Sequence, residues 1–151
     1  MITELVEQYC KALESVPHDF TAITRLQRFV LEHALPERTG IVRPRGVRKG
    51  RPKECYRNAT VLAMQQGYTY CEGLACSEKL GIPVDHAWVI DSAGNVIDAT
   101  WKDSDKCWYL GVPFSREQLW LGLIDTGTYG LLHKDWQLNV KLIDNYKKEA
   151  A

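Results

Sequence analysis

Apolar residues near the start of the chain, Ile2, Leu5, Val6, Tyr9 and Leu13, recur at three- and four-residue spacing and predict one face of a helix that Pro17 ends. A second stripe, Phe20, Ile23, Leu26 and Val30, predicts a helix capped by Asp19 or Thr21 and stopped by Pro36. From Pro36 to Pro52 the pattern breaks: prolines and glycines replace apolar residues, and the segment reads as an exposed loop. Beyond it Cys55, Ala59 and Leu62 fall on one helical face at i, i+4 and i+7, with Gly67 placed as the stop. Residues 68–75, 84–91 and 95–101 are short runs of β-branched and aromatic residues separated by turn signals, and they predict antiparallel strands. A further strand at 109–114, a helix at 115–124 and a helical stretch at 134–146 complete the reading. The fold class expected is α+β, with N-terminal helices, a helix opening at Cys55 packed on a small antiparallel sheet, and C-terminal helices.

At 151 residues with 45% apolar and 25% charged, the chain is sized for one ordinary domain over 1–151 whose core needs neither disulfide nor metal to hold it. The five cysteines are odd in number, and the N-terminus lacks the basic start and apolar run of a signal peptide. No run approaches a membrane span. These features point to free thiols in a reducing, cytoplasmic setting.

Charge changes the picture once its distribution is considered. The total is zero, with 19 basic and 19 acidic residues, which argues against a wholly basic nucleic-acid binder. Residues 37–53, however, hold seven cations (Arg38, Arg43, Arg45, Arg48, Lys49, Arg51 and Lys53) against the single acid Glu37, so this block is +6 and the remainder of the neutral chain is −6. Three readings stay open for it: a solvated surface segment, a docking site for an anionic partner such as nucleic acid or an acidic protein, or a border of an active site that begins at Cys55. Few aromatics interleave with the cations, so a stacking platform for single strands is not indicated.

Candidate chemistry sits in Glu54-Cys55-Tyr56-Arg57, Asp85-His86-Ala87-Trp88 and Val96-Ile97-Asp98-Ala99-Thr100. A thiol at a helix N-terminus meets unpaired N–H groups and the positive end of the helix dipole, which favour a thiolate and can hold an oxyanion. A strand histidine can take the thiol proton, and an acid on the next strand can orient the imidazole. Register tests the last pair, because side chains alternate between faces. A three-residue loop, Ser92-Ala93-Gly94, pairs Asp91 with Asn95, sets His86 opposite Thr100 and makes Asp98 its diagonal neighbour on the same face. A two-residue loop without a bulge sends Asp98 to the other face.

Cys55 at a helix start, His86 in His-Ala-Trp and Asp98 in Val-Ile-Asp-Ala-Thr resemble the catalytic core of the transglutaminase-like superfamily within the papain-like group. The order Cys, His, Asp and the gaps of 31 and 12 residues match that pattern over residues 50–115. The chain is also similar to small phage and bacterial proteins. The resemblance implies a helix packed on an antiparallel sheet and thiol chemistry on amide or ester carbonyls through an acyl-enzyme, with Cys55, His86 and Asp98 as the catalytic set. Its substrates would be a peptide, a protein or a small amide. Many members carry an aromatic or amide oxyanion donor upstream of the cysteine. Here Arg51, Pro52, Lys53 and Glu54 precede it, leaving the Cys55 backbone N–H as the donor, and Glu54 is a like charge beside the thiolate.

Each residue also has a plainer role. A lone cysteine is usually a buried packing residue, a histidine on an apolar strand is usually a hydrogen-bonded structural one, and an aspartate often holds a turn. Cys71, Cys76, His86 and Cys107 lack the paired Cys-x2-Cys spacing of common zinc sites, so no metal or other cofactor is expected. Trp88, Trp101, Trp108 and Tyr109 read as core before groove, as do Trp120 and Trp136. The alternative to a thiol hydrolase is a catalytically silent module of the same fold that docks an anionic partner through Arg43, Arg45, Arg48, Lys49 and Arg51.

Overall fold

The computed structural model describes residues 1–16, 21–132, 141 and 144–148, and over them the protein is α+β. Helices α1 (Ile2–Glu14) and α2 (Thr21–His33) come first. The buried arc of α1 is Ile2, Val6 and Cys10. Tyr9, expected in the stripe, is 46% exposed, because it lies at the rim of that arc, where an amphipathic phenol reaches water. The two helices are tied by the Arg28 guanidinium, which donates to both carboxylate oxygens of Glu14 at 2.8 and 2.7 Å.

Five strands follow, β1 (Arg38–Thr39), β2 (Thr69–Ser77), β3 (Val84–Ile90), β4 (Val96–Ile97) and β5 (Cys107–Phe114), in the sheet order β1-β5-β2-β3-β4 with every neighbouring pair antiparallel. Helix α3 (Cys55–Gln66) lies between β1 and β2 in the chain, a 3-10 turn (Ser104–Lys106) precedes β5, and α4 (Arg116–Thr126) follows it. The structure departs from two sequence expectations. The 36–52 segment, expected to be wholly loop, contains β1, because β5 offers a free edge that two residues can pair. The strand expected at 95–101 pairs only at Val96 and Ile97, because Asp98 turns the chain out of the ladder.

Alternation along the strands divides the interior in two. Tyr70, Leu74, Ala87, Val89, Ile97, Leu110 and Val112 face the helices, where they pack with Val6, Phe29, Val30, Ala59 and Leu62. Cys71, Ala75, Trp88, Val96, Cys107 and Tyr109 form a separate cluster on the opposite face. That face is enclosed because the sheet curls until its edges meet: Gly40, directly after β1, bridges Val96 in parallel, and the Ile41 N–H donates to the Val96 carbonyl at 3.0 Å.

A buried carboxylate, which no motif announced, fixes the chain beyond α4. Glu72 on β2 accepts from the Tyr70 hydroxyl at 2.7 Å, from the Leu131 N–H at 2.8 and 3.0 Å, and from the Leu132 N–H. Burial pushes its pKa up to about 7 against the pull of these donors. Glu72→Ala strands them and is expected to lower unfolding free energy by ~2–4 kcal/mol in urea denaturation. The folded pKa lies above the ordinary value of ~4.3. The contribution of the native carboxyl is therefore full at acid pH, and the gap between wild type and variant narrows as pH rises through about 7.

Helix α4 starts at a capping box in which the Ser115 hydroxyl accepts from the Gln118 N–H and the Gln118 side chain accepts from the Ser115 N–H. It buries Leu119 and Gly122, but Trp120, expected in the core, is 57% exposed, because it lies on the face of α4 away from them. Of the helix expected at 134–146, residues 134–140, 142 and 143, with Trp136 among them, lie outside the described residues. Residues 144–148 are helical, and Tyr146 packs edge-on against Phe29 and Phe114.

Candidate active site

The β3–β4 loop has the odd length that the pairing of His86 with Asp98 requires. The Asp91 N–H donates to the Asn95 carbonyl at 3.1 Å, and Gly94 takes φ 82°, the left-handed conformation open to glycine. The Asp91 carboxylate accepts from the Ala93 and Asn95 N–H groups at 3.0 and 2.8 Å and holds the loop in that form. Val89 then faces Ile97 and Ile90 faces Val96. The same parity carries His86 and Asp98 to one side of the sheet, with His86 Nε2 2.8 Å from Asp98 Oδ2.

Asp98 is 0% exposed and both of its oxygens are satisfied. Oδ2 accepts from His86 and from the Tyr109 hydroxyl at 2.7 Å, while Oδ1 accepts from the Thr100 and Trp101 N–H groups at 2.8 and 3.1 Å. The carboxylate thus forms the turn that ends β4 and orients the imidazole at once. Asp98 therefore both holds a turn, the plainer role, and is hydrogen-bonded to His86. Burial works against its charge, but the His86 partner and the surrounding donors outweigh it and hold its pKa below the ordinary value.

His86 is 2% exposed and lies among aromatic rings. Trp101 stacks on it with centroids 4.1 Å apart and planes 25° apart, and Trp88 is near-parallel at 6.1 Å. Burial disfavours the imidazolium. The hydrogen bond that His86 donates to Asp98, the interaction with Cys55 and the charges of both overcome that, and the pKa rises to about 9. With Nε2 engaged by Asp98, Nδ1 is the ring nitrogen left for the thiol.

Cys55 opens α3, as the sequence predicts, and is 8% exposed. Glu54 takes the N-cap position without a side-chain capping bond, so its carboxylate does not cap the helix end beside the sulfur. It points instead to Arg57, 3.9 Å away, which moderates the like charge expected beside a thiolate. Just upstream, Lys53 holds φ 63°, a conformation costing ~1–3 kcal/mol for a residue with a side chain, at the entry to the helix.

The basic loop is exposed in its side chains but fixed in its backbone. Val47 is buried, the Gly50 N–H donates to the Ala99 carbonyl at 2.7 Å, and Asn58 Nδ2 donates to the Arg51 carbonyl at 2.9 Å and to Thr100 Oγ1 at 3.0 Å. A Cβ on Gly50 would lie 2.1 Å from the Asn58 carboxamide carbon, so only glycine allows this approach. The loop is therefore a strap across α3 and the turn after β4, both of which carry candidate residues.

His86 and Asp98 are joined by a hydrogen bond, and Cys55 at the start of α3 interacts electrostatically with His86. Tyr109, Trp101 and Asn58 complete the site; the sequence offers no local signal for them, since Tyr109 reaches Asp98 only through the position of β5 in the sheet. Cys10, Cys71, Cys76 and Cys107 are free and buried, and Cys107 lies next to Tyr109. Among the described residues no group of three or more His, Cys, Asp or Glu is placed to hold a metal ion, and no helix is long and apolar enough to cross a membrane. Comparison of the chain with protein-family models, curated proteins and solved structures finds no match, so the chemistry of these residues has to follow from their own geometry.

Proposed function

We propose that the protein is a cysteine-dependent hydrolase of an amide or peptide bond, acting through Cys55, His86 and Asp98 in the manner of the transglutaminase-like superfamily its sequence resembles. The observation that carries this reading is the line from the α3 N-terminus through His86 to a carboxylate with every acceptor filled. In the first half-reaction the Cys55 thiolate attacks the carbonyl carbon, and the developing oxyanion meets the Cys55 N–H at the N-terminus of α3. The imidazolium of His86 gives its proton to the leaving nitrogen as the C–N bond breaks, leaving a thioester. Neutral His86 then takes a proton from water, the hydroxide adds to the thioester and the C–S bond breaks. This returns the thiolate and the imidazolium.

Incubation with a p-nitrophenyl ester series, read by mass spectrometry, tests this. Acylation confined to Cys55 and lost in Cys55→Ala is expected; no acyl adduct on Cys55 overturns it. The pH dependence is a second expected outcome. The acid form of His86 must protonate the leaving nitrogen, and its pKa is raised to about 9, so amide turnover should hold through neutrality and fall as pH rises through about 9. A fall centred near the ordinary histidine value of ~6.5 would contradict the imidazolium assignment.

One observation favours the second reading, a silent module that binds an anionic partner: the thiol is 8% exposed beneath the strap. In that case the esters leave Cys55 unmodified while the protein still binds anions through Arg43, Arg45, Arg48, Lys49 and Arg51.

A further inference from the structure

Trp101 has two working faces. One stacks on His86, and the ring also lines a cleft of about 530 Å³ together with Thr100, which is hydrogen-bonded to Asn58 on the helix that Cys55 opens. Lysines reach this cleft from three separate parts of the chain: Lys49 from the strap, Lys79 from the β2–β3 connection, and Lys102 and Lys106 from the segment between β4 and β5. Glu78 and Asp103 also line it, so four ammonium groups stand against two carboxylates. Among the described residues none of the four lysines is within ion-pair distance of a carboxylate. Cations gathered around one concave site repel one another, and an entering anion relieves that repulsion.

We propose that this cleft binds acidic side chains of a peptide substrate, setting an amide bond beside them at Cys55. The proposal rests on the reading of Cys55 as the nucleophile. A peptide fits the site better than a nucleic acid strand does. The volume lies in the range of ~300–1,000 Å³ typical of compact ligand pockets. Glu78 and Asp103 interrupt the cations where a phosphate backbone needs a continuous track, and Trp101 alone gives no succession of stacking rings. The excess of two cations suits a segment with a few carboxylates.

Binding is measured by fluorescence anisotropy on Cys55→Ala, which removes the reaction and leaves the cleft intact. The probes are a fluorescein-labelled peptide rich in Asp and Glu, its Asn and Gln counterpart of equal length, and an oligothymidylate of equal charge. The acidic peptide is expected to bind at least ~10-fold more tightly than its amide counterpart, and more weakly as salt rises. Combining Lys79→Ala, Lys102→Ala and Lys106→Ala should cost ~10-fold or more, whereas Arg43→Ala with Arg45→Ala, outside the cleft, should change affinity less than ~2-fold. Equal binding of the two peptides, tighter binding of the oligothymidylate or indifference to the three lysines overturns the proposal. Because this readout needs no nucleophile, peptide selectivity without Cys55 acylation removes only the hydrolase reading, and acylation without acidic preference removes only the cleft assignment.

Discussion

Iodoacetamide added to the native protein at neutral pH is expected to alkylate Cys55 at least ~100-fold faster than any of the other four thiols. The reactive species is the thiolate, and the competing cysteines are held away from it. Burial pushes Cys71 up to about 12 and Cys107 up to about 11, and raises Cys10 and Cys76 as well. At neutral pH a thiol with pKa near 11 is ionised to only ~1 part in 10,000. Cys55 sits at the N-terminus of α3 and interacts with the raised imidazole of His86, two positive ends that none of the others meets. Peptide mapping after brief exposure gives the ranking. His86→Ala should remove most of the advantage while leaving the helix N-terminus in place, which separates the two contributions. If Cys55 reacts no faster than the other cysteines in the native protein, the activated nucleophile is lost and the silent module stands.

Asp98→Asn should have the second large effect, on catalysis and stability together. The amide keeps one oxygen for the Thr100 and Trp101 N–H groups. In place of Oδ2 it puts an NH₂ toward His86 Nε2 and the Tyr109 hydroxyl, both of which donate in the native arrangement. The imidazole then loses the charge that offsets its burial, and its pKa should fall below the ordinary ~6.5, read from the His86 ring protons by NMR. Acylation of Cys55 should drop ~1,000-fold or more, the scale on which triads fail when the orienting acid is neutralised. Unfolding free energy should fall by ~2–4 kcal/mol, since a buried ion pair is broken and one hydroxyl is left unpaired.

That loss has a pH signature. His86 is raised in the folded state, so its contribution is full below ~6.5 and is lost as pH rises through about 9. Asp98 is depressed, so its contribution is full above ~3.9 and is lost as pH falls through its lowered pKa. The difference between wild type and Asp98→Asn should therefore be widest between ~4 and ~6.5 and shrink on the alkaline side. A variant that keeps a raised His86 would show that Asp98 serves the turn alone.

How far the sequence carried varies with the range of the interactions concerned. The start of α3 at Cys55 and the His86–Asp98 register were legible because both depend on a few neighbouring residues: a break after Pro52, a helical stripe, and a three-residue loop with glycine at its last position. The length of β4 was not, since Asp98 withdraws the chain from the ladder by accepting the Thr100 and Trp101 N–H groups. Nor was β1 visible, because two residues form a strand only when β5 presents an edge to them. Trp120 misled because a large aromatic on a short helix carries no mark of which face the sheet will take.

The sequence by itself determined the α+β class, the place of the thiol at a helix start, and the parity that lets His86 and Asp98 share a face, since each follows from local periodicity and turn chemistry. Only the tertiary structure decided that the sheet curls onto itself around the imidazole, that Tyr109 and Trp101 fix the Asp98–His86 pair, that Glu72 holds the chain beyond α4, and that lysines from three segments meet at one cleft. Those depend on contacts between residues far apart in the chain, and their partners are set by strand order, which no local pattern encodes.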